Sequence, residues 1–229
     1  MAVEIVPAIL SKTREDFAAK VDAVAPFVSR IQIDIMDGKF VPNATLQPED
    51  FQPIPSHLLV EYHLMVENPL DYVRRIGKKG AIYELHIESL VGASGRGGNG
   101  KLPAKEAHEK VLAAISGVKK LGGRPALAIS PDTPAQALAP YLPQVEQVLV
   151  MTVYPGFSGQ TYLRAMEEKM RWLSGRGAVV EVDGGIDVGS AKTAARAGAA
   201  LLNVASGIFA KPDAKRAIDG LLKDAEGKE

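Results

Sequence analysis

The chain has 229 residues, 46% hydrophobic and 24% charged, with 27 basic side chains against 27 acidic ones and no cysteine. That composition excludes a disordered or collagen-like chain. A formal net charge of zero argues against a nucleic-acid coat or a polybasic membrane anchor, both of which need surplus positive charge. Without cysteine, disulfides, thiolate zinc sites and cysteine nucleophiles are excluded.

No run of 18 apolar residues appears, so no membrane span is expected. The opening MAVEIVPAIL lacks a basic n-region and a small-residue cleavage site, and reads as a first strand rather than a signal peptide. The expected compartment is the cytoplasm.

Eight short apolar runs follow along the chain, near 3–9, 30–36, 58–65, 81–87, 125–129, 147–153, 178–182 and 200–204. Amphipathic stretches near 13–25, 68–78, 104–121, 134–141, 161–174, 188–197 and 212–225 alternate with them. Several runs are entered through glycine: Gly80-Ala81, Gly122-Gly123, Gly177-Ala178 and Gly198-Ala199. Glycine suits the left-handed residue just past a helix end, and short apolar runs read as buried parallel strands. The Pro-rich link 37–57 holds at most a short helix. Eight strand–helix units in this length predict an α/β fold, a (β/α)8 TIM barrel forming one domain over 1–229. An open doubly wound sheet is the alternative. Against it, Pro7-Ala8-Ile9-Leu10-Ser11 after the first run contains no GxGxxG. The stretch 92–101, GASGRGGNGK, is expected as a flexible solvent loop, with a mobile lid as the alternative. The tail AEGKE is expected to fray.

Barrel chemistry sits at the C-terminal ends of the strands. Residues two apart on a strand share a face. RIQIDIMDG therefore sends Gln32, Asp34 and Met36 to the interior, and EYHLMVENP does the same for Glu61, His63 and Met65. EVDGG places Asp183 at a strand tip, and LHIES places His86 near the mouth. A carboxylate inside a barrel needs a partner, a metal or a raised pKa. The second and seventh strands lie three steps apart on an eight-strand ring, so Asp34 and Asp183 face each other across the mouth. Two carboxylates on opposite faces of one carbon suit an epimerase: one removes a proton α to a carbonyl and the other returns it. Asp34, His63 and Asp183 also offer one nitrogen and two carboxylates to a divalent ion. Taken singly, Asp34 ahead of Asp37-Gly38 fits a turn and His63 fits a core histidine. Their convergence at three strand tips favours a site. Pro155-Gly156-Phe157-Ser158-Gly159, Asp183-Gly184-Gly185 and Ala205-Ser206-Gly207 are glycine-containing strand exits suited to phosphate.

The segments VPAILS, QIDIMDGKFVPN, EYHLMVENP, LVMTVYPGFSGQ, EVDGGI and NVASGIF carry a resemblance to the ribulose-phosphate 3-epimerase family along nearly the whole chain. The resemblance implies interconversion of D-ribulose 5-phosphate and D-xylulose 5-phosphate through an enediolate stabilised by a divalent ion. It implies Asp34 and Asp183 as acid/base residues and metal ligands, with His63 a further ligand. It places phosphate at Gly156, Phe157, Ser158, Gly159, Gly185 and Ser206, and lines the substrate pocket with Met36, Met65 and Met151. On physics alone those methionines are core filler. The chain departs from the family at Gln32, where a ligating His is usual, and at Ala8, where a Ser touches substrate. It departs again at Tyr154, Ser158 and Ala205. A Gln carbonyl oxygen at position 32 is a weaker, harder donor than imidazole, so zinc or iron would lose more affinity there than magnesium or manganese. Alternatively water fills the position, and the one divalent cofactor is zinc, manganese, iron or magnesium. Three readings follow: an active ribulose-phosphate epimerase, an epimerase for another ketose phosphate such as a ketohexose 6-phosphate, and a sugar-phosphate-binding barrel with impaired turnover. Related decarboxylases and aldolases carry a D-x-K-x-x-D run or a barrel lysine, absent from the strand cores here. The expected partners are a small sugar phosphate and further copies of the chain, with neither nucleic acid nor membrane.

Overall fold

A computed structural model describes residues 2–93, 95 and 104–227. Eight strands, β1 Glu4–Ile9, β2 Arg30–Met36, β3 Leu59–Met65, β4 Ile82–His86, β5 Arg124–Ile129, β6 Val148–Met151, β7 Val180–Asp183 and β8 Leu201–Val204, close into a barrel in chain order. Every neighbouring pair is parallel, and β1 pairs with β8, so no open sheet edge remains. Helices α1 Arg14–Val24, α2 Pro69–Ile76, α3 Ile87–Leu90, α4 Ala104–Lys120, α5 Glu167–Ser174, α6 Ser190–Arg196, α7 Ser206–Phe209 and α8 Ala214–Glu226 follow the strands. None of the described helices is long and apolar enough to cross a membrane.

The period-two pattern does what barrel packing requires. On β2, Ile31, Ile33 and Ile35 join the apolar layer shared with the helices, while Gln32, Asp34 and Met36 are buried on the other side. The register then fixes who meets whom inside: Ala8 lies beside Gln32, Asp34 beside His63, Met151 beside Asp183, and Asp183 beside Asn203. Below them the interior is also polar. Glu61, Glu84 and Glu181 are buried around Gln147, whose Nε2 lies 2.8 Å from Glu61 and 3.1 Å from Glu84 and also donates to Glu181. Arg30 reaches Glu61 at 2.7 Å from the rim.

Four local expectations need correction. The stretch expected as a helix over 134–141 is a 3-10 segment, Ala135–Gln144, because Pro140 and Pro143 remove α-helical donors. The stretch expected as a helix from 161 starts as a 3-10 turn at Arg164–Met166 before α5. The short helices α3 and α7 follow β4 and β8 where continued strand or loop was read. Ala225 and Glu226, expected to fray, end α8, with Gly227 capping it in the left-handed conformation at φ 69°. Of the glycine-rich stretch, 94 and 96–101 lie outside the described residues. Gly95 is tied down by a bond from its N–H to the Phe40 carbonyl (3.2 Å) and one from the Ser130 hydroxyl to its own carbonyl (2.7 Å).

Candidate active site

The strands β2, β3 and β7 bring four of the polar residues read from the sequence, Gln32, Asp34, His63 and Asp183, onto one floor. His63 Nδ1 stands 3.1 Å from Asp34 Oδ1 and 3.3 Å from Asp183 Oδ2. Gln32 Nε2 donates to Asp34 Oδ1 at 2.8 Å and to Asp183 Oδ2 at 3.0 Å. One ligand atom from each of Asp34, His63 and Asp183 lies within 4.8 Å of the others, and all three residues are buried.

Two braces hold these tips. The 37–57 link, with its single 3-10 turn at Pro48–Asp50, folds back so that the Thr45 hydroxyl accepts from Met36 N–H (3.0 Å) and donates to the Asp34 carbonyl (2.9 Å). Asp37 is a loop residue: its carboxylate accepts from the N–H groups of Lys39, Phe40 and Glu67. On β7, Thr152 N–H donates to the Asp183 carbonyl at 2.8 Å. The turn that follows must be glycine. Gly184 and Gly185 have φ of 114° and 66°, and a Cβ on Gly185 would sit 2.4 Å from the Tyr162 nitrogen.

Charge on the floor follows from burial and pairing. Burial raises Asp34, and the neighbouring Asp183 adds to that, while the bonds from His63 and Gln32 pull the other way; the net direction is up. Burial opposes charge on His63, but its bonds to Asp183 and Asp34 outweigh burial and lift it to about 9. Burial lowers His86. At neutral pH His63 therefore carries the proton. His63 Nε2 is 2.9 Å from His86 Nε2, and His86 Nδ1 is 3.1 Å from Glu88. Burial works against the charge of Glu88 as well, yet its bond from His86 holds it below the usual range. Its other oxygen accepts the Ser130 N–H at 2.8 Å. The line Asp34/Asp183–His63–His86–Glu88–Ser130 thus fixes the donor at each step.

Above the floor is a cleft. Its walls include Met36, Met65 and Met151, the turn Pro155–Gly159, Gly184, Gly185, Asn203, Ala205 and Ser206. Each proposed phosphate residue and each of the three methionines therefore faces the same cleft. Asn43 Nδ2 donates to the Gly156 carbonyl at 2.6 Å, tying the 156–159 turn to the 37–57 link. Tyr154 stands outside it: its hydroxyl donates to Asp132 at 2.9 Å on the rim. Ala8 is fully buried beside Gln32.

Three site residues were missed in the sequence. Asn203 is a polar residue within the apolar run LLNV, the signal that flagged Asp34. Glu88 stands two residues past His86, a spacing that carries no weight until α3 turns its side chain back. Thr45 had no signal, because its role depends on how the 37–57 link folds.

The family model described as the ribulose-phosphate 3 epimerase family matches residues 4–95 and 103–209. The chain is 34% identical over 235 residues to the cytoplasmic isoform of ribulose-phosphate 3-epimerase from Oryza sativa subsp. japonica, covering 99% of this chain and 96% of that one. It is 34% identical over 233 residues to ribulose-phosphate 3-epimerase from Methanocaldococcus jannaschii, covering 98% and 90%. Among solved structures, KGPDC from Streptococcus mutans superposes with a TM-score of 0.69 at 12% identity over 99% of both chains. A 3-hexulose-6-phosphate synthase from Salmonella typhimurium gives 0.66 at 15% identity, covering 99% and 100%. At such identities these two share the fold.

Proposed function

The chain belongs to the ribulose-phosphate 3-epimerase family and is an isomerase, and from that premise we propose that it interconverts D-ribulose 5-phosphate and D-xylulose 5-phosphate by moving a proton at C3 between Asp34 and Asp183. The observation that carries this reading is the sharing of one imidazole nitrogen by both carboxylates, at 3.1 and 3.3 Å, beneath a cleft walled by glycine turns.

The backbone N–H groups of the 156–159 turn, Gly185 and Ser206 take the phosphate, which fixes C3 over the floor. One carboxylate, ionised, removes the C3 proton from one face. The electron pair moves into the C2 carbonyl and gives a planar enediolate. The other carboxyl, in its acid form, delivers a proton to C3 from the opposite face, and the configuration inverts. Burial, and then the neighbouring Asp183, raise Asp34, the direction that favours its acid form. Met36, Met65 and Met151 give the planar carbon skeleton an apolar, polarizable bed.

Two carboxylates and one imidazole, buried and within 4.8 Å of one another, suit a divalent ion of the magnesium, manganese, iron or zinc type. Asp34, His63 and Asp183 would hold it, with the Gln32 carbonyl oxygen as a fourth donor. When bound, such an ion supplies electrophilic stabilisation of the charge developing on the substrate oxygens. His86 and Glu88 orient His63, leaving its Nδ1 toward the carboxylates.

The test is incubation with D-ribulose 5-phosphate in ²H₂O, with magnesium, manganese, ferrous iron and zinc supplied in turn. The expected product is D-xylulose 5-phosphate with one deuterium at C3, formed with at least one ion. No product with any of the four overturns the reading.

A further inference from the structure

Two amide side chains, Gln32 and Asn203, lie in the upper layer of the barrel, and both are buried. Gln32 Nε2 spends its two hydrogens on Asp34 at 2.8 Å and Asp183 at 3.0 Å, and stands 3.5 Å from His63 Nδ1. Gln32 Oε1 accepts from Asn203 Nδ2. Asn203 Oδ1 is buried and, among the described residues, has no hydrogen-bond partner. A buried carbonyl oxygen without a donor is an unfavourable feature.

This orientation serves carboxylates that carry no cation, because an N–H pair stands between them. It is wrong for carboxylates that share one. A cation repels an N–H group and is held by a carbonyl oxygen. We propose that Asn203 is a positioning residue that sets which end of the Gln32 amide faces the carboxylates, and that the two amides turn over together when a divalent ion enters. The proposal rests on the reading of this floor as a cation site. In the turned state Gln32 Oε1 faces the ion and Gln32 Nε2 donates to Asn203 Oδ1. The oxygen that lacks a donor then acquires one. An amide is the side chain that serves both states, since it offers a donor and an acceptor. An apolar residue at 203 leaves the far end of Gln32 unpaired either way, and a carboxylate accepts only.

The variant Asn203→Asp tests this, because ionised Asp demands a donor from Gln32 and fixes Oε1 toward the ion. Affinity for manganese and zinc, measured by chelator competition, is expected to rise about tenfold or more, the scale on which groups behind the ligands act. The added negative charge also attracts a cation, so the same change is made in a Gln32→Leu background. There the gain is expected to fall to about twofold or less. An equal gain in both backgrounds, or none in either, overturns the proposal. Proton NMR of the unaltered chain gives a second reading that does not depend on a variant folding. Without metal, the Gln32 amide protons are expected to show cross-peaks to the His63 ring. On adding zinc these are expected to vanish. Cross-peaks that persist in a chain that binds zinc remove this proposal alone. A chain that takes up neither ion removes the cation-site reading and the proposal with it.

Discussion

His63 is bonded at both ring nitrogens, and the two bonds have different consequences. Nδ1 faces Asp34 and Asp183, so in the metal-free chain the imidazolium supplies the positive charge those carboxylates require. Nε2 faces His86, which Glu88 holds from the far side. Removing the acceptor at 86 leaves a buried N–H unpaired and frees the ring to turn. His86→Leu is expected to weaken divalent-ion binding about ten- to hundredfold, measured by chelator competition. Affinity within twofold of the unaltered chain would show that His63 needs no such support. At this scale the sequence was readable where one strand sufficed: Gln32, Asp34 and Met36 share a face because they alternate along β2. Asn203 was not singled out because its importance lies in its neighbours. It touches Gln32 only because β8 closes onto β1, and β1 carries Ala8 beside Gln32.

The strands were legible as elements because each is short and apolar and β4, β5, β7 and β8 are entered through glycine, and the observed β2, β3 and β8 differ from the expected runs by at most one residue at either end. Elements without that periodicity were harder. Ala135–Gln144 has buried Ala135, Leu138 and Tyr141 at three-residue spacing, which reads as a helix face, but Pro140 and Pro143 hold it to 3-10 geometry. The 37–57 link shows almost no regular structure, yet Thr45 and Asn43 fasten it to β2 and to the 156–159 turn. Its work is done through side-chain bonds to distant backbone, and no local pattern announces those. The glycine turn after Asp183 was read as a phosphate cradle. The structure adds a packing reason, since the backbone of Gln160 and Tyr162 crosses within 2.8 Å of where a Gly185 Cβ would lie.

The barrel as a whole carries an acidic lower layer whose cost depends on pH. Gln147 Nε2 has two hydrogens and faces three carboxyl groups, so it cannot serve them all. Glu84, fully buried, is raised by that burial to about 8 from an ordinary 4.5. Between those two values the folded chain binds more protons than the unfolded one. Glu84 therefore contributes its full stability below pH 4.5 and loses it as pH climbs toward 8. Glu84→Gln removes the titration. Its Tm is expected to match the unaltered chain near pH 5 and to exceed it by about 4 °C or more near pH 8.5, where ~1 kcal/mol moves Tm by roughly 2–4 °C at this size. Equal Tm differences at both pH values would contradict the linkage. In the upper layer, the proposed mechanism has Asp34 and Asp183 address one stereocentre from opposite faces. The most direct measurement is solvent hydrogen exchange at C3, followed by NMR from each epimer separately, in Asp34→Asn and Asp183→Asn. Interconversion is expected to fall about 10³-fold in both, with residual exchange confined to one epimer in each variant, and to the opposite one in the other. Interconversion within tenfold of the unaltered chain in either variant, or residual exchange on the same epimer in both, would contradict the two-carboxylate account.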